Sequence, residues 1–181
     1  PQHAHRLRQA VHSLARQGEC QLQARIVRKR LLSWANGTPS SAFGCENVAM
    51  TLLLAETGFE VHAVVVGPMD NNVFVIRCTE TGDGVLIDAA NEHERLLELC
   101  SALGVRRVIE THGHWDHIQA VPAVREAGYD VAVTAADSEM LEAYDSILED
   151  DNVIEVGRLR LRTIATPGHT RGSMCFALEG S

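Results

Sequence analysis

The stretch Thr111-His112-Gly113-His114-Trp115-Asp116-His117 places three imidazoles and a carboxylate within six residues. It directly follows residues 105–110, a β-branched run that predicts a strand. Imidazole and carboxylate are the ligand set of zinc, iron and manganese. In an extended loop side chains alternate with period two, so His112 and His114 point the same way. Asp116 and His117 fall where the chain turns into a helix, in a position to face a second ion beside the first. Gly113 lets the backbone bend tightly there. The chain holds nine histidines, so a lone H-x-H pair would carry little. H-x-H-x-D-H at the carboxyl end of a strand is a far more specific pattern.

A second segment, Thr166-Pro167-Gly168-His169-Thr170-Arg171-Gly172-Ser173, also follows an expected strand, over 159–165. Pro167-Gly168 dictates a turn that presents His169. Beside His112 and His114, His169 is the natural third imidazole. Three histidines and a solvent molecule make the open coordination of a catalytic metal.

Outward from these motifs, the chain reads as strands first and then strands alternating with helices. Strands are expected over 61–66, 73–77 and 85–88, separated by the turn segments 67–72 and 79–84. A helix over 92–103 stops at Gly104, and the strand over 105–110 leads into the histidine motif. A helix over 117–127 must carry Pro122 in its first turn or kink there. A strand over 129–134 and a helix over 137–148 follow. Two strands, 153–156 and 159–165, pair around Gly157-Arg158 as a hairpin, and a last strand covers 173–178. This order argues for an α/β layered domain. Upstream, 5–17, 20–34 and 46–57 read as helices, the last stopped by Gly58.

The chain has 181 residues, 45% hydrophobic and 22% charged, a globular composition long enough for a sizeable core. Its net charge of −8 is uneven. Residues 1–44 hold seven basic residues and one acidic, for +6, and residues 45–181 carry −14. The domains are therefore read as a basic, mostly helical segment, 1–58, and an acidic domain, 59–181. The first segment is compatible with a targeting-like leader, a helical arm for a partner or an upstream extension. On charge grounds nothing in 59–181 favours nucleic acid; the expected partner is a small-molecule substrate. No apolar run is long enough to span a membrane, and no secretory signal is visible. Five cysteines, an odd number without a C-x-x-C pair, fit a reducing cytoplasmic setting better than a disulfide framework. No pattern fixes an oligomeric state.

The two motifs, in this order, resemble those of the metallo-β-lactamase superfamily. His112, His114, Asp116 and His117 match H-x-H-x-D-H, and residues 166–173 match T-P-G-H-T-x-G-S. The strands before Asp88 look like the opening strands of that family, with the Asp at their end. T-H-x-H-W-D-H and T-P-G-H-T look most like the glyoxalase II branch of thioester hydrolases, although Gln119-Ala120 stand where that family often has Gly-Gly. The resemblance covers 59–181. It implies part of an α/β/β/α sandwich, C-terminally incomplete, because the family's bridging Asp and last His have no counterpart after His169. It also implies one metal on His112, His114 and His169 and a second on Asp116 and His117. Zinc, one or two ions per chain, is the first expectation, with iron or manganese as alternatives. A metal-activated hydroxide would attack a thioester or ester carbonyl, with Asp116 as the catalytic residue that orients it or accepts a proton. Two alternatives stand beside this reading: a mononuclear iron persulfide dioxygenase of the same fold, and a catalytically silent fragment or binding module.

Overall fold

The structure is a computed structural model that describes residues 50–180. The helices expected over 5–17 and 20–34 lie outside the described residues. Among the described residues ten strands form two sheets. The larger takes β1 (Thr51–Glu56), β2 (Phe59–Val66), β3 (Asn71–Cys78), β4 (Gly84–Ile87), β5 (Val105–Ile109), β6 (Asp130–Thr134) and β7 (Ser146–Leu148) in that spatial order. Its first four strands are an antiparallel meander, and β4 to β7 run parallel. The smaller sheet is antiparallel, in the order β10-β9-β8, from β8 (Val153–Val156), β9 (Leu159–Ala165) and β10 (Met174–Leu178). Helix α1 (His93–Ala102) links β4 to β5. Helices α2 (Trp115–Ile118) and α3 (Val121–Glu126) lie between β5 and β6.

Strand alternation separates two cores. Val73, Val75, Leu86, Val108, Val131 and Val133 face the helices, packed with Leu96, Leu99, Val121 and Val124. Phe74, Ile76, Val85, Ile87, Ile109 and Ala132 face the smaller sheet and meet Ile154, Leu161, Met174 and Phe176. A strand buried on both faces reads as a continuous apolar run, as 73–76 and 85–87 do. Helices, large sheet and small sheet are thus three stacked layers, the partial α/β sandwich that the sequence suggested.

Two expected helices are strands or turns instead. Residues 51–56 form β1, which pairs with β2 across a register shift between Leu52 and Leu54. Leu, Ala and Glu are good helix formers, but the free edge of β2 supplies backbone partners along most of the run. The sheet therefore begins before Phe59. The helix expected over 137–148 is only a 3-10 turn, Ser138–Met140, before the chain extends into β7 along β6. The helix over 117–127 divides into α2 and α3, with Pro122 in the first turn of α3, where a missing N–H costs nothing. Among the described residues no helix is long and apolar enough to cross a membrane.

Candidate metal centre

The carboxyl ends of the parallel strands and the β9–β10 connection meet at one edge of the sandwich. β4 leads to Asp88, β5 delivers Thr111 and His112, β6 leads to Asp137, and β9 leads to His169. A backbone hydrogen bond from Met174 N–H to the Thr111 carbonyl, 2.8 Å, joins the ligand loop to the smaller sheet.

Here the imidazoles of His112, His114 and His169 converge, each with a ligand atom within 4.8 Å of the others. His114 Nδ1 and His169 Nε2 lie 3.0 Å apart. The His112 ring packs edge-on to both, with centroids 4.9 and 4.8 Å away. His112 is buried, His114 half-buried and His169 exposed, so the cluster is open on the side bordered by Met140, Pro167 and Arg171.

A hydrogen-bond relay sets the tautomer of His112. Asp88 accepts from the Thr111 N–H at 2.6 Å and from the Thr111 hydroxyl at 2.8 Å. That hydroxyl has given its only proton to Asp88, so at 2.9 Å from His112 Nδ1 it can only accept. Nδ1 then carries the ring hydrogen, and Nε2 is a bare lone pair. Nε2 is fully buried and has no hydrogen-bond partner. A buried acceptor without a partner is costly, and a metal ion held among the three imidazoles would satisfy it. The donor set and this orphaned atom both fit a zinc-type site. Burial, reinforced by the neighbouring His117, pushes the His112 pKa down to about 4, so the ring is neutral and ligand-competent near pH 7.

Asp116 and His117 sit beside the triad on α2. His117 Nδ1 lies 2.8 Å from Asp88 Oδ2, and its ring centroid is 4.2 Å from that of His112. Burial opposes charge on His117, but the hydrogen bond and charge of Asp88, with Asp116, outweigh it and raise its pKa. Asp116 accepts from the Asn71 side chain at 3.0 Å and lies 3.5 Å from His117 Nε2. Burial works against its ionisation, yet the Asn71 hydrogen bond and the charge of His117 hold the carboxyl below its ordinary value. All five residues expected at the site are thus brought to one place. Trp115 is 62% exposed and stands on the rim, in a groove with Ile118, Pro122 and Met140. Sequence reasoning missed Asn71, the first residue of β3, Glu110 and Asp137. Glu110 is buried just behind the motif and accepts from the Ala89 N–H at 3.1 Å. Its pKa is raised well above the ordinary value by burial and by Asp88.

The family model of the metallo-beta-lactamase superfamily matches residues 66–181. A hydroxyacylglutathione hydrolase of Fuscovulum blasticum is 36% identical over 115 residues, 62% of this chain and 45% of that protein. The chain thus spans about half the length of the curated relatives it matches. Among solved structures, the BLEG-1 B3 metallo-beta-lactamase superposes with a TM-score of 0.58 at 23% identity, over 64% of this chain and 66% of that one. ETHE1 from Myxococcus xanthus superposes with a TM-score of 0.57 at 27% identity, over 65% of this chain and 53% of that one. With the fold, the two motifs and the family model in agreement, this chain belongs to the metallo-beta-lactamase superfamily, near its glyoxalase II branch.

Proposed function

We propose that the chain carries the metal-binding part of a hydrolase that acts on a thioester or related ester, with zinc as its metal. The observation that carries this reading is the buried, partnerless Nε2 of His112, aimed among the imidazoles of His114 and His169. These three histidines would hold one ion, and Asp116 and His117 a second. A bound ion lowers the pKa of water from 15.7 to about 7 and so supplies a nucleophile at neutral pH, while polarising the substrate carbonyl. The protein's own groups then do the positioning. Asn71 fixes Asp116, whose carboxylate orients the attacking water or takes its proton. Asp88 holds both Thr111 and His117 in place. Exposed Met140 borders the open side and also lines the neighbouring groove of exposed Trp115, apolar surface that suits the organic part of a small-molecule substrate. The curated relatives named as hydroxyacylglutathione hydrolases favour an acylated thiol.

The test is His114→Ala in the full-length protein, assayed for zinc retention and for hydrolysis of a glutathione thioester. Loss of both is expected. Unchanged turnover would overturn the reading. The likeness to ETHE1 gives some weight to a second reading, an iron-dependent persulfide dioxygenase. Oxygen consumption with bound iron, without thioester hydrolysis, would select it.

A further inference from the structure

We propose that Asp137 is a positioning residue that clamps the two histidine loops to each other, and so sets how tightly the three imidazoles hold a metal. The inference rests on the reading of the site given above. Asp137 follows β6, outside both motifs, and is fully buried. Its carboxyl group accepts three hydrogen bonds from two loops. Oδ2 takes the N–H of Gly113 at 3.0 Å and the hydroxyl of Thr170 at 2.6 Å, and Oδ1 takes the N–H of Gly172 at 2.8 Å. Gly113 stands between His112 and His114, and Thr170 is next to His169. One carboxyl group therefore spans the segments that carry all three imidazoles, although their sequence positions are far apart.

Both glycines are shaped for this contact. A Cβ on Gly113 would lie 2.9 Å from the Asp137 carbonyl oxygen and 3.0 Å from Met140 Cβ. A Cβ on Gly172 would overlap the Thr134 hydroxyl and lie 2.5 Å from Asp137 Cγ. Neither glycine has a positive φ, so their role is close approach of backbone N–H to carboxyl rather than backbone freedom. Ser173 supports the same clamp. Its Oγ accepts from the Thr170 N–H at 3.0 Å and lies 2.9 Å from the Thr170 hydroxyl, leaving that hydroxyl's proton for Asp137. Thr134 ties in the last corner by donating to the Gly172 carbonyl at 2.9 Å. Partners that orient a ligand without touching the metal change affinity by about ten- to hundredfold when removed.

The experiment compares Asp137→Asn, Thr170→Val and Thr170→Ser with the parent in the full-length protein. Zinc affinity is measured by chelator competition, and site geometry by the visible spectrum of the cobalt-substituted form. Amide exchange at Gly113 and Gly172 is followed without metal. Asn presents an N–H₂ to one of the two loops, so Asp137→Asn should weaken zinc binding by about ten- to hundredfold, shift the cobalt spectrum and speed exchange at one of the glycines. Thr170→Val should weaken zinc in the same direction, and Thr170→Ser, which keeps the hydroxyl, should restore it. If Asp137→Asn fails to fold, the Val and Ser pair decides. Zinc affinity and cobalt spectrum unchanged in Thr170→Val, or in a folded Asp137→Asn, would overturn the clamp while leaving the site intact. A parent protein that binds no zinc would instead overturn the reading of the site, and the clamp with it.

Discussion

His117 Nδ1 and Asp88 Oδ2 lie 2.8 Å apart, and the same carboxyl group takes the N–H and the hydroxyl of Thr111. Asp88 sits just after β4 with φ of 66°, a left-handed conformation that Asp and Asn tolerate better than most residues. It is buried and joins the start of the histidine motif to its end. In the neutral ring, an acceptor on Nδ1 leaves Nε2 of His117 as the lone pair, on the side of Asp116.

The first prediction concerns this carboxyl group. Asp88→Ala leaves three donors without an acceptor in a buried place and should cost about 2–4 kcal/mol of folding stability. Asp88→Asn keeps the backbone conformation and one acceptor oxygen, so it should cost much less. Its amide nitrogen no longer enforces both tautomers, and metal stoichiometry should fall although the protein stays folded. Urea unfolding and metal analysis of the two variants separate these effects. Equal stability of Asp88→Ala and the parent would refute the argument.

Thr111 carries the second prediction. Its hydroxyl is the one link between Asp88 and His112 Nδ1. Thr111→Val frees the His112 tautomer, so zinc affinity should drop by about tenfold or more, while Thr111→Ser should stay close to the parent. Chelator competition reads both. A Val variant that binds zinc as tightly as the Ser variant would show that the relay does not matter.

These two residues also mark what was legible in the sequence. The motifs are local, and each directly follows a strand, so spacing alone brought His112, His114, Asp116, His117 and His169 into view. The strands over 73–77 and 85–88 were legible for a similar reason, as short apolar, β-branched runs bounded by turn segments. What failed was decided at a distance. Residues 51–56 have helix-forming composition and are a strand because β2 has an edge to fill. Residues 137–148 read as helical, yet β7 is drawn out along β6. Asn71 reaches Asp116 across 45 positions and Asp137 reaches Gly172 across 35; no local pattern encodes such pairs.

Acid stability gives the third prediction. Asp145 accepts from Arg125 Nε and Nη2 at 2.9 and 2.6 Å and from the Val131 N–H at 2.9 Å. The Arg125 pair, then the Val131 N–H, hold its pKa down to about 2. The unfolded value is about 3.9, so the folded value is the lower one. The pairing therefore stabilises the fold above about pH 4, and that contribution is lost as pH falls towards 2. The pair is partly exposed, so solvent screening keeps its contribution small. Asp145→Asn should be slightly less stable at pH 7 and lose stability less steeply between pH 4 and pH 2. An acid limb identical to the parent's would count against this.

The last prediction follows from where the three imidazoles are anchored. His112 and His114 come after β5 of the large sheet, whereas His169 lies in the β9–β10 connection of the small one. The sheets already share the apolar layer of Ile87, Ile109, Leu161 and Met174. An ion held by all three histidines would add a polar tie at the rim of that layer and would bind the folded state only. Zinc at about a hundred times its dissociation constant should then add about 2.7 kcal/mol to the unfolding free energy. Chelator should remove that increment and lower Tm by several degrees. His169→Ala keeps both motif-one histidines and the sheet-to-sheet core, so its metal-free Tm should stay near that of the metal-free parent. Zinc should no longer raise it by the same amount. If zinc stabilised the variant and the parent equally, His169 would not be a ligand, and the metal would be held within the large sheet alone.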